Sequence, residues 1–150
     1  MPGLGESFVE NSELIASVKR GRNAINRSHN NLLDNDLRIL DSLNLDEATR
    51  QRYPQDHRWD YLVSSSNPQI LIGIEPHSAI SKEVKVVIQK RRNALRFLSD
   101  HLRNGQFISK WFWVASGRVG FSNSGKDARL LHKNGIIFAG RRLTRRHLTK

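Results

Sequence analysis

The spacing of apolar residues predicts helices in the first third of the chain. In residues 6–19, apolar side chains recur at helical spacing and leave acidic and other polar residues on another face. A second apolar set, in residues 24–43, has the same character with a break near Asn35. We therefore expect the sequence before residue 45 to be helical.

The pattern changes near residue 58 to the alternation of strands. In residues 58–64, aromatic or β-branched side chains alternate with other side chains. Residues 65–68 are Ser-Ser-Asn-Pro, and residues 69–76 contain a short apolar run rich in β-branched side chains. Two such runs around turn residues are typical of a β-hairpin.

After the hairpin, residues 81–103 carry the strongest apolar stripe at helical spacing, which predicts a long helix. Two further strands are predicted at residues 110–116 and 135–139. A long helix between strands usually makes a right-handed parallel crossover. The expected fold class is therefore α/β, an α+β mixed sheet flanked by helices. A chain of 150 residues is sized for a single domain.

Charge is the most unusual bulk property. The formal net charge is +11, and residues 105–150 carry ten basic residues against one acid. The segment of about residues 141–150 is predicted to be a basic C-terminal tail. Such a balance favours polyanionic partners, nucleic acid above all.

Cysteine is absent, which excludes disulfides, a thiolate nucleophile and cysteine-bound metal. The composition suits a reducing cytoplasm. Neither a cleaved signal nor a membrane-spanning run is predicted, and we expect no membrane partner.

Two acids of the predicted hairpin are the best candidates for chemistry. Asp60 lies in the first strand and Glu75 ends the apolar run of the second. If the strand register places them opposite each other, facing positions lie about 4.5 to 5.5 Å apart at Cβ, close enough for two carboxylates to share one divalent cation. His77, two residues beyond Glu75, is expected on the same face, where it would bind a metal, orient a water or act as a base.

These residues and the order of their elements resemble the restriction-endonuclease-like PD-(D/E)XK nuclease superfamily. Asp60 matches the first acid, Glu75 the second, and His77 stands where that superfamily carries a lysine. The resemblance implies a three-layer core in the order helix, hairpin, crossover helix and strands. The segments Arg58-Trp59-Asp60-Tyr61-Leu62 and Gly73-Ile74-Glu75-Pro76-His77 also resemble a small group of uncharacterised bacterial proteins.

The resemblance implies that Asp60, Glu75 and the carbonyl of Pro76 hold Mg²⁺ or Mn²⁺, which activates water for attack on a phosphodiester. Glu10 or Glu13 would match an extra helix acid, and we take Glu13 as a third metal ligand. A lysine of the following helix replaces the missing one in some superfamily members. Lys82, Lys85 and Lys90 are the candidates, and Lys85 is taken as catalytic.

The remaining basic residues are candidates for phosphate contacts. This predicted set comprises Lys82, Lys90, Arg91, Arg141, Arg142, Arg145 and Arg146. Simpler readings stay open: Asp60 as a surface acid beside Arg58, Glu75 at a helix start, His77 in a turn, and the basic tail as a solvated terminus.

The leading hypothesis is a divalent-metal-dependent nuclease, or nuclease-fold protein, acting on DNA or RNA. The alternatives are a non-catalytic nucleic-acid-binding protein with a degenerate nuclease fold, and a protein-interaction or toxin-type module. The sequence leaves the oligomeric state open, a homodimer included.

Overall fold

The protein is built on one six-stranded sheet, seen in a computed structural model that describes residues 3–121 and 124–149. The strands are β1 (Lys19–Arg20), β2 (Ile39–Asn44), β3 (Tyr61–Ser65), β4 (Leu71–Ala79), β5 (Lys110–Val119) and β6 (Ile136–Phe138). The helices are α1 (Leu4–Ser7), α2 (Arg27–Asn30), α3 (Leu45–Thr49), α4 (Val84–Leu98), α5 (Lys126–Lys133) and α6 (Arg145–Thr149). Short 3₁₀ helices occupy Glu13–Ser17 and Ser81–Glu83.

The strands lie side by side in the order of the sequence. Strands β1 to β4 pair antiparallel with their neighbours, whereas β4 with β5 and β5 with β6 pair parallel. Helix α4 makes the connection that allows β4 and β5 to run in the same direction. The predicted mixed α/β class is therefore confirmed.

Alternate residues of the central strands enter two separate apolar cores. In β5, Trp111 and Trp113 face the core shared with α4, whereas Phe112 and Val114 face the core closed by the C-terminal segment. All four side chains are almost fully buried. Because polypeptide packs on both faces, the central strands are apolar in nearly every position. The molecule has three layers, with the sheet in the middle.

The hairpin and the crossover helix form where the sequence predicts them. Strands β3 and β4 pair with Tyr61 opposite Ile74, and the turn between them contains a cis Asn67–Pro68 peptide. Ser65 Oγ donates to the Pro68 carbonyl at 2.6 Å. The helix predicted over residues 81–103 is found as a 3₁₀ turn followed by α4.

The prediction of a helix over residues 6–19 is wrong. The Val9 N–H donates to the His101 carbonyl at 2.7 Å, and Ser12 Oγ bonds His101 Nδ1 and accepts from the Leu14 N–H. These distant and side-chain partners replace the backbone bonds that a continuous helix would use. A short helix and a 3₁₀ turn bury Phe8 and Leu14 instead, while Ile15 stays exposed.

The second predicted helical segment, residues 24–43, contains α2, an irregular stretch and most of β2. The Arg22 guanidinium donates to the carbonyls of Leu33, Asp34 and Leu37. A single side chain therefore satisfies carbonyls that a helix would otherwise pair internally.

The segment predicted as a basic tail is packed against the domain. The Leu143 N–H donates to the Leu32 carbonyl at 2.8 Å, and the Asp34 N–H donates to the Leu143 carbonyl at 2.8 Å. Leu143 and Leu148 are buried in the second core. Lys150 lies outside the described residues. Within the part that is described, no helix has the length and apolar character needed to cross a bilayer.

Candidate active site

The register of the hairpin brings Asp60 and Glu75 together. Tyr61 lies opposite Ile74, so the same register continued by one residue places Asp60 opposite Glu75. The Asp60 N–H donates to Glu75 Oε1 at 2.9 Å. Side chains opposite each other in a pair share one face of the sheet, and here that face is the one covered by α4.

Glu75 is an acid inside the protein, with 0% of its surface exposed. Its Oε2 accepts a hydrogen bond from Lys90 Nζ of α4 at 2.5 Å. Burial lowers the pKa of Lys90, but the negative charges of Glu75 and Asp60 outweigh burial, and the pKa is raised overall. Lys90 is therefore held as a cation beside the two acids.

The backbone holds Asp60 directly before β3. Its carbonyl accepts the N–H groups of Leu45 at 2.8 Å and Asp46 at 3.3 Å. Burial, and then the negative charge of Glu75, raise the pKa of the Asp60 carboxyl to about 7. Both effects disfavour the ionised form, so a further cation next to Asp60 would stabilise its charge.

His77 lies on the same side of β4 and bridges two glutamates. Its Nε2 is 2.7 Å from Glu83 Oε1, and its Nδ1 is 3.6 Å from Glu75 Oε2. Glu75 is the main cause of a raised pKa at His77, with burial opposing it and Glu83 adding to it. Trp113 Nε1 donates to the His77 carbonyl at 3.0 Å. His77 is consequently more often charged near neutral pH than a free histidine.

The structure corrects the choice of lysine. Lys85 is exposed, and no hydrogen bond or ion pair of the described residues joins it to Asp60 or Glu75. Lys90 is the lysine of α4 that contacts Glu75. It was one of the three candidates for this place and was also predicted as a phosphate contact, whereas Lys85 was taken as catalytic. The two lysines are five positions apart on α4, so they lie on different faces of the helix. The spacing of Val87, Lys90 and Ala94 is the signal that points to Lys90, because both of its apolar neighbours are buried.

Glu13 does not join the acid pair. It lies at the start of the first 3₁₀ helix, and its carboxylate pairs with Arg52 at 3.1 Å on the surface. Across residues 3–121 and 124–149, no three His, Asp or Glu side chains are arranged to hold a metal ion. The helix that was expected to carry Glu13 past the site does not form.

Only part of the predicted phosphate-binding set has free charged groups. Lys82, Arg141 and Arg146 are exposed, and among the described residues no hydrogen bond or ion pair involves their charged side-chain groups. Arg142 is tied to Asp34 at 3.0 Å, and Arg145 Nε donates to the Asn67 carbonyl at 3.2 Å.

Arg91 has a structural setting instead of a surface one. Its guanidinium lies 5.5 Å from the centre of the Trp111 ring, and Nη1 donates to the Asn134 carbonyl at 2.9 Å. Burial lowers the pKa of Arg91. The prediction that Arg91 contacts phosphate is therefore not supported by its position.

Sequence reasoning missed Glu83. It follows β4 in a 3₁₀ turn, six residues after His77, and no spacing rule connects the two.

No protein-family model, curated protein or solved structure matches this chain. The chemistry of the site is therefore inferred from the arrangement of Asp60, Glu75, His77 and Lys90.

Proposed function

We propose that this chain is a divalent-metal-dependent nuclease, or a protein that retains a nuclease fold, acting on DNA or RNA phosphodiesters. The observation that carries the proposal is the meeting of Asp60, Glu75 and Lys90 on the α4 face of the hairpin. Strand, strand, crossover helix and parallel strand follow the order expected for restriction-endonuclease-like nucleases.

The energetic cost of this cluster supports a functional role. Removing a carboxylate and an ammonium from water costs several kcal/mol per ion. A fold with apolar residues of similar size in place of a buried ion pair is often equally stable or more stable. Glu75 nevertheless lies among tryptophans and aliphatic side chains on a central strand. Charged groups with shifted pKa values that cluster in this way are enriched at functional sites.

A divalent cation fits the residues that are present. Asp60 and Glu75 lie opposite each other, and Lys90 bonds only Glu75. Burial, and then the charge of Glu75, raise the pKa of Asp60, so a second cation beside it would be stabilising. Carboxylate oxygens are preferred ligands of Mg²⁺ and Mn²⁺. Asp60 and Glu75 would hold the ion, which would supply an activated water and charge stabilisation for the phosphate.

The cations of the site have a separate task. Lys90 and protonated His77 would place positive charge beside a bound phosphate. They would thereby supply the charge that the lysine of the Glu-x-Lys motif provides in the resembling superfamily. Lys82, Arg141 and Arg146 would add sequence-independent phosphate contacts at the surface. Since the chain contains no cysteine, the proposed setting is the reducing cytoplasm.

Cleavage assays with matched variants test the proposal. Single-stranded and duplex DNA and RNA are each tested as substrates, and at least one of them should be cut in the presence of Mg²⁺ or Mn²⁺ and left intact in EDTA. Glu75→Gln and Asp60→Asn should each abolish cutting. Glu47→Gln, an exposed acid of α3 with no described side-chain partner, is the matched control. Cleavage that survives Glu75→Gln would reject the site.

A non-catalytic nucleic-acid-binding protein is the second candidate, and one observation favours it. Both carboxylate oxygens of Glu75 already accept hydrogen bonds, from the Asp60 N–H and from Lys90. A cluster satisfied in this way would need no metal. This candidate predicts strongly salt-dependent binding of nucleic acid and no cleavage with any divalent ion.

A further inference from the structure

A groove of about 400 Å³ opens between the loop of residues 50–59 and α4. Its volume lies in the range of small-ligand sites, about 300 to 1,000 Å³. Tyr53, Asp56, His57, Arg96, Phe97 and His101 are among the residues that line it, and we call it the Tyr53 groove.

The groove has an aromatic wall. Tyr53 meets Phe97 edge to face at 5.6 Å between ring centres, and Phe97 stacks on His101 at 4.4 Å with a 27° tilt. Tyr53 keeps 36% of its surface exposed. Because every nucleobase has a flat π face, rings of this kind bind bases without regard to sequence.

Polar groups surround the aromatic wall and are not used in packing. Asp56, Arg96 and Asp100 are exposed, and their side chains have no hydrogen bond or ion pair from the described residues. Carboxylates accept hydrogen bonds from exocyclic amino groups, and a guanidinium donates to ring nitrogens and carbonyl oxygens. The groove therefore offers both partners that the edge of a base requires.

The wall is fixed before any ligand binds. Arg58 Nη1 donates to the Tyr53 carbonyl at 2.7 Å and to the Pro54 carbonyl at 3.1 Å, while Arg58 Nε bonds Asp46 at 2.7 Å. On the other side, Ser12 Oγ bonds His101 Nδ1 at 2.7 Å. Rings held in place by their surroundings lose little entropy when a ligand stacks on them.

Both walls of the groove belong to segments that also carry residues of the candidate active site. In the loop wall, Arg58 and Trp59 directly precede Asp60. In the helix wall, Asn93 lies almost one turn beyond Lys90, and Phe97 lies seven residues beyond it, about 10 Å along the axis. The Asn93 Nδ2 group donates to the His57 carbonyl at 3.0 Å and joins the two walls.

We propose that the Tyr53 groove receives an unpaired nucleobase that neighbours the scissile phosphodiester, so that the substrate is single-stranded or frayed nucleic acid. This inference rests on the proposed function and adds the substrate class to it. A base within a duplex has both faces stacked and its Watson–Crick edge paired, whereas the groove presents partners for a free face and a free edge. The net charge of +11 favours a polyanion over a neutral or basic peptide as the molecule that carries the base.

Binding measured in EDTA tests the inference independently of cleavage. The probes are two fluorescent single-stranded oligonucleotides of equal length, one with thymine bases and one with abasic residues at the central positions. The intact chain should bind the thymine probe roughly five- to 100-fold more tightly. Tyr53→Ala should remove most of this preference and leave the affinity for the abasic probe unchanged. Phe107→Ala, which removes a ring with 67% exposure outside the groove, should keep the preference.

Each outcome separates the groove from the acid pair. Equal affinity for the two probes, or a preference that Tyr53→Ala leaves intact, overturns the groove proposal whether or not the chain cuts nucleic acid. A base preference that depends on Tyr53, found without metal-dependent cleavage, refutes the nuclease assignment and supports the groove as a site for an unpaired base. If Tyr53→Ala leaves the preference intact but changes the sedimentation of the protein, the groove belongs to a second copy of the chain and the proposal fails. Arg27→Ala, an exposed cation of α2, serves as the charge control for Arg96→Ala, which should weaken the base preference.

Discussion

Replacing Asp60 by asparagine should change how the stability of the fold depends on pH. The carboxyl has a pKa of about 7 in the folded protein and about 3.9 in an unfolded chain. Between these values the folded state binds more protons than the unfolded state. The contribution of Asp60 is therefore fully present below pH 4 and is lost as the pH rises through 7. Asparagine at this position cannot titrate and keeps nearly the same shape.

The size of the effect follows from the shift. Each pKa unit corresponds to about 1.4 kcal/mol, so the full difference would be about 4 kcal/mol. Because the Asp60 carboxyl keeps part of its surface in water, we expect about 2 kcal/mol. Asp60→Asn should be about as stable as the original chain at pH 4 and more stable by that amount at pH 8.

Urea unfolding in EDTA at several pH values measures the difference in free energy of unfolding between the chain and the variant. In a second series at pH 8, with Mg²⁺ in place of EDTA, the ion should stabilise the original chain and have little effect on Asp60→Asn, since an ion that binds only the folded state shifts unfolding by mass action. The Glu47→Gln variant controls for the loss of a surface acid. A free-energy difference that stays constant from pH 4 to pH 8 would show that Asp60 titrates normally, and the electrostatic account of the acid pair would fail.

Three further predictions test other contacts of the described residues. Lys90→Met should lower the free energy of unfolding by about 3 to 5 kcal/mol, because buried Glu75 loses its counter-charge. Lys85→Met should change it by less than about 0.5 kcal/mol. Urea unfolding measures both, and equal effects of the two substitutions would refute the assignment of Lys90 as the partner of Glu75. Glu83→Gln should lower the pKa of His77, seen by NMR titration of the ring, because one of the two carboxylates that raise it is removed. Arg141→Ala and Arg146→Ala should each reduce the slope of log binding constant against log salt by about one, and Arg142→Ala should reduce it less since Asp34 holds that guanidinium.

The hairpin and crossover were predictable because their signals are local. The turn at Asn67 and Pro68 separates two short apolar strands, and α4 carries a continuous apolar stripe and is followed by the strand β5. Continuing the register from the Tyr61–Ile74 pair brings Asp60 opposite Glu75. Proximity of these two acids therefore follows from the hairpin alone.

The N-terminal third was not predictable from its own spacing. Its backbone bonds go to residues far along the chain, such as the bond from the Val9 N–H to the His101 carbonyl. Helical periodicity is a weak guide where the segment is short and its hydrogen bonds have tertiary partners. The Tyr53 groove escaped sequence reasoning for the same reason, because its walls come from a loop and a helix separated by more than 30 residues.

A double substitution distinguishes a site retained for chemistry from an ion pair retained for stability. Glu75→Leu with Lys90→Met removes both charges of the buried pair, and replacing a buried ion pair by apolar residues of similar volume is often neutral or stabilising by about 1 to 4 kcal/mol. The double variant removes both the charge of Glu75, which raises the pKa of Asp60, and the charge of Lys90, which lowers it, so the fold should tolerate the change. If the pair serves chemistry, the double variant should unfold at equal or higher urea concentration yet lose both cleavage and Mg²⁺-dependent stabilisation. The opposite result is a free energy of unfolding that falls by several kcal/mol in the double variant, with no effect of Mg²⁺ on the original chain. It would mean that Glu75 and Lys90 hold the sheet and α4 together and have no chemical role.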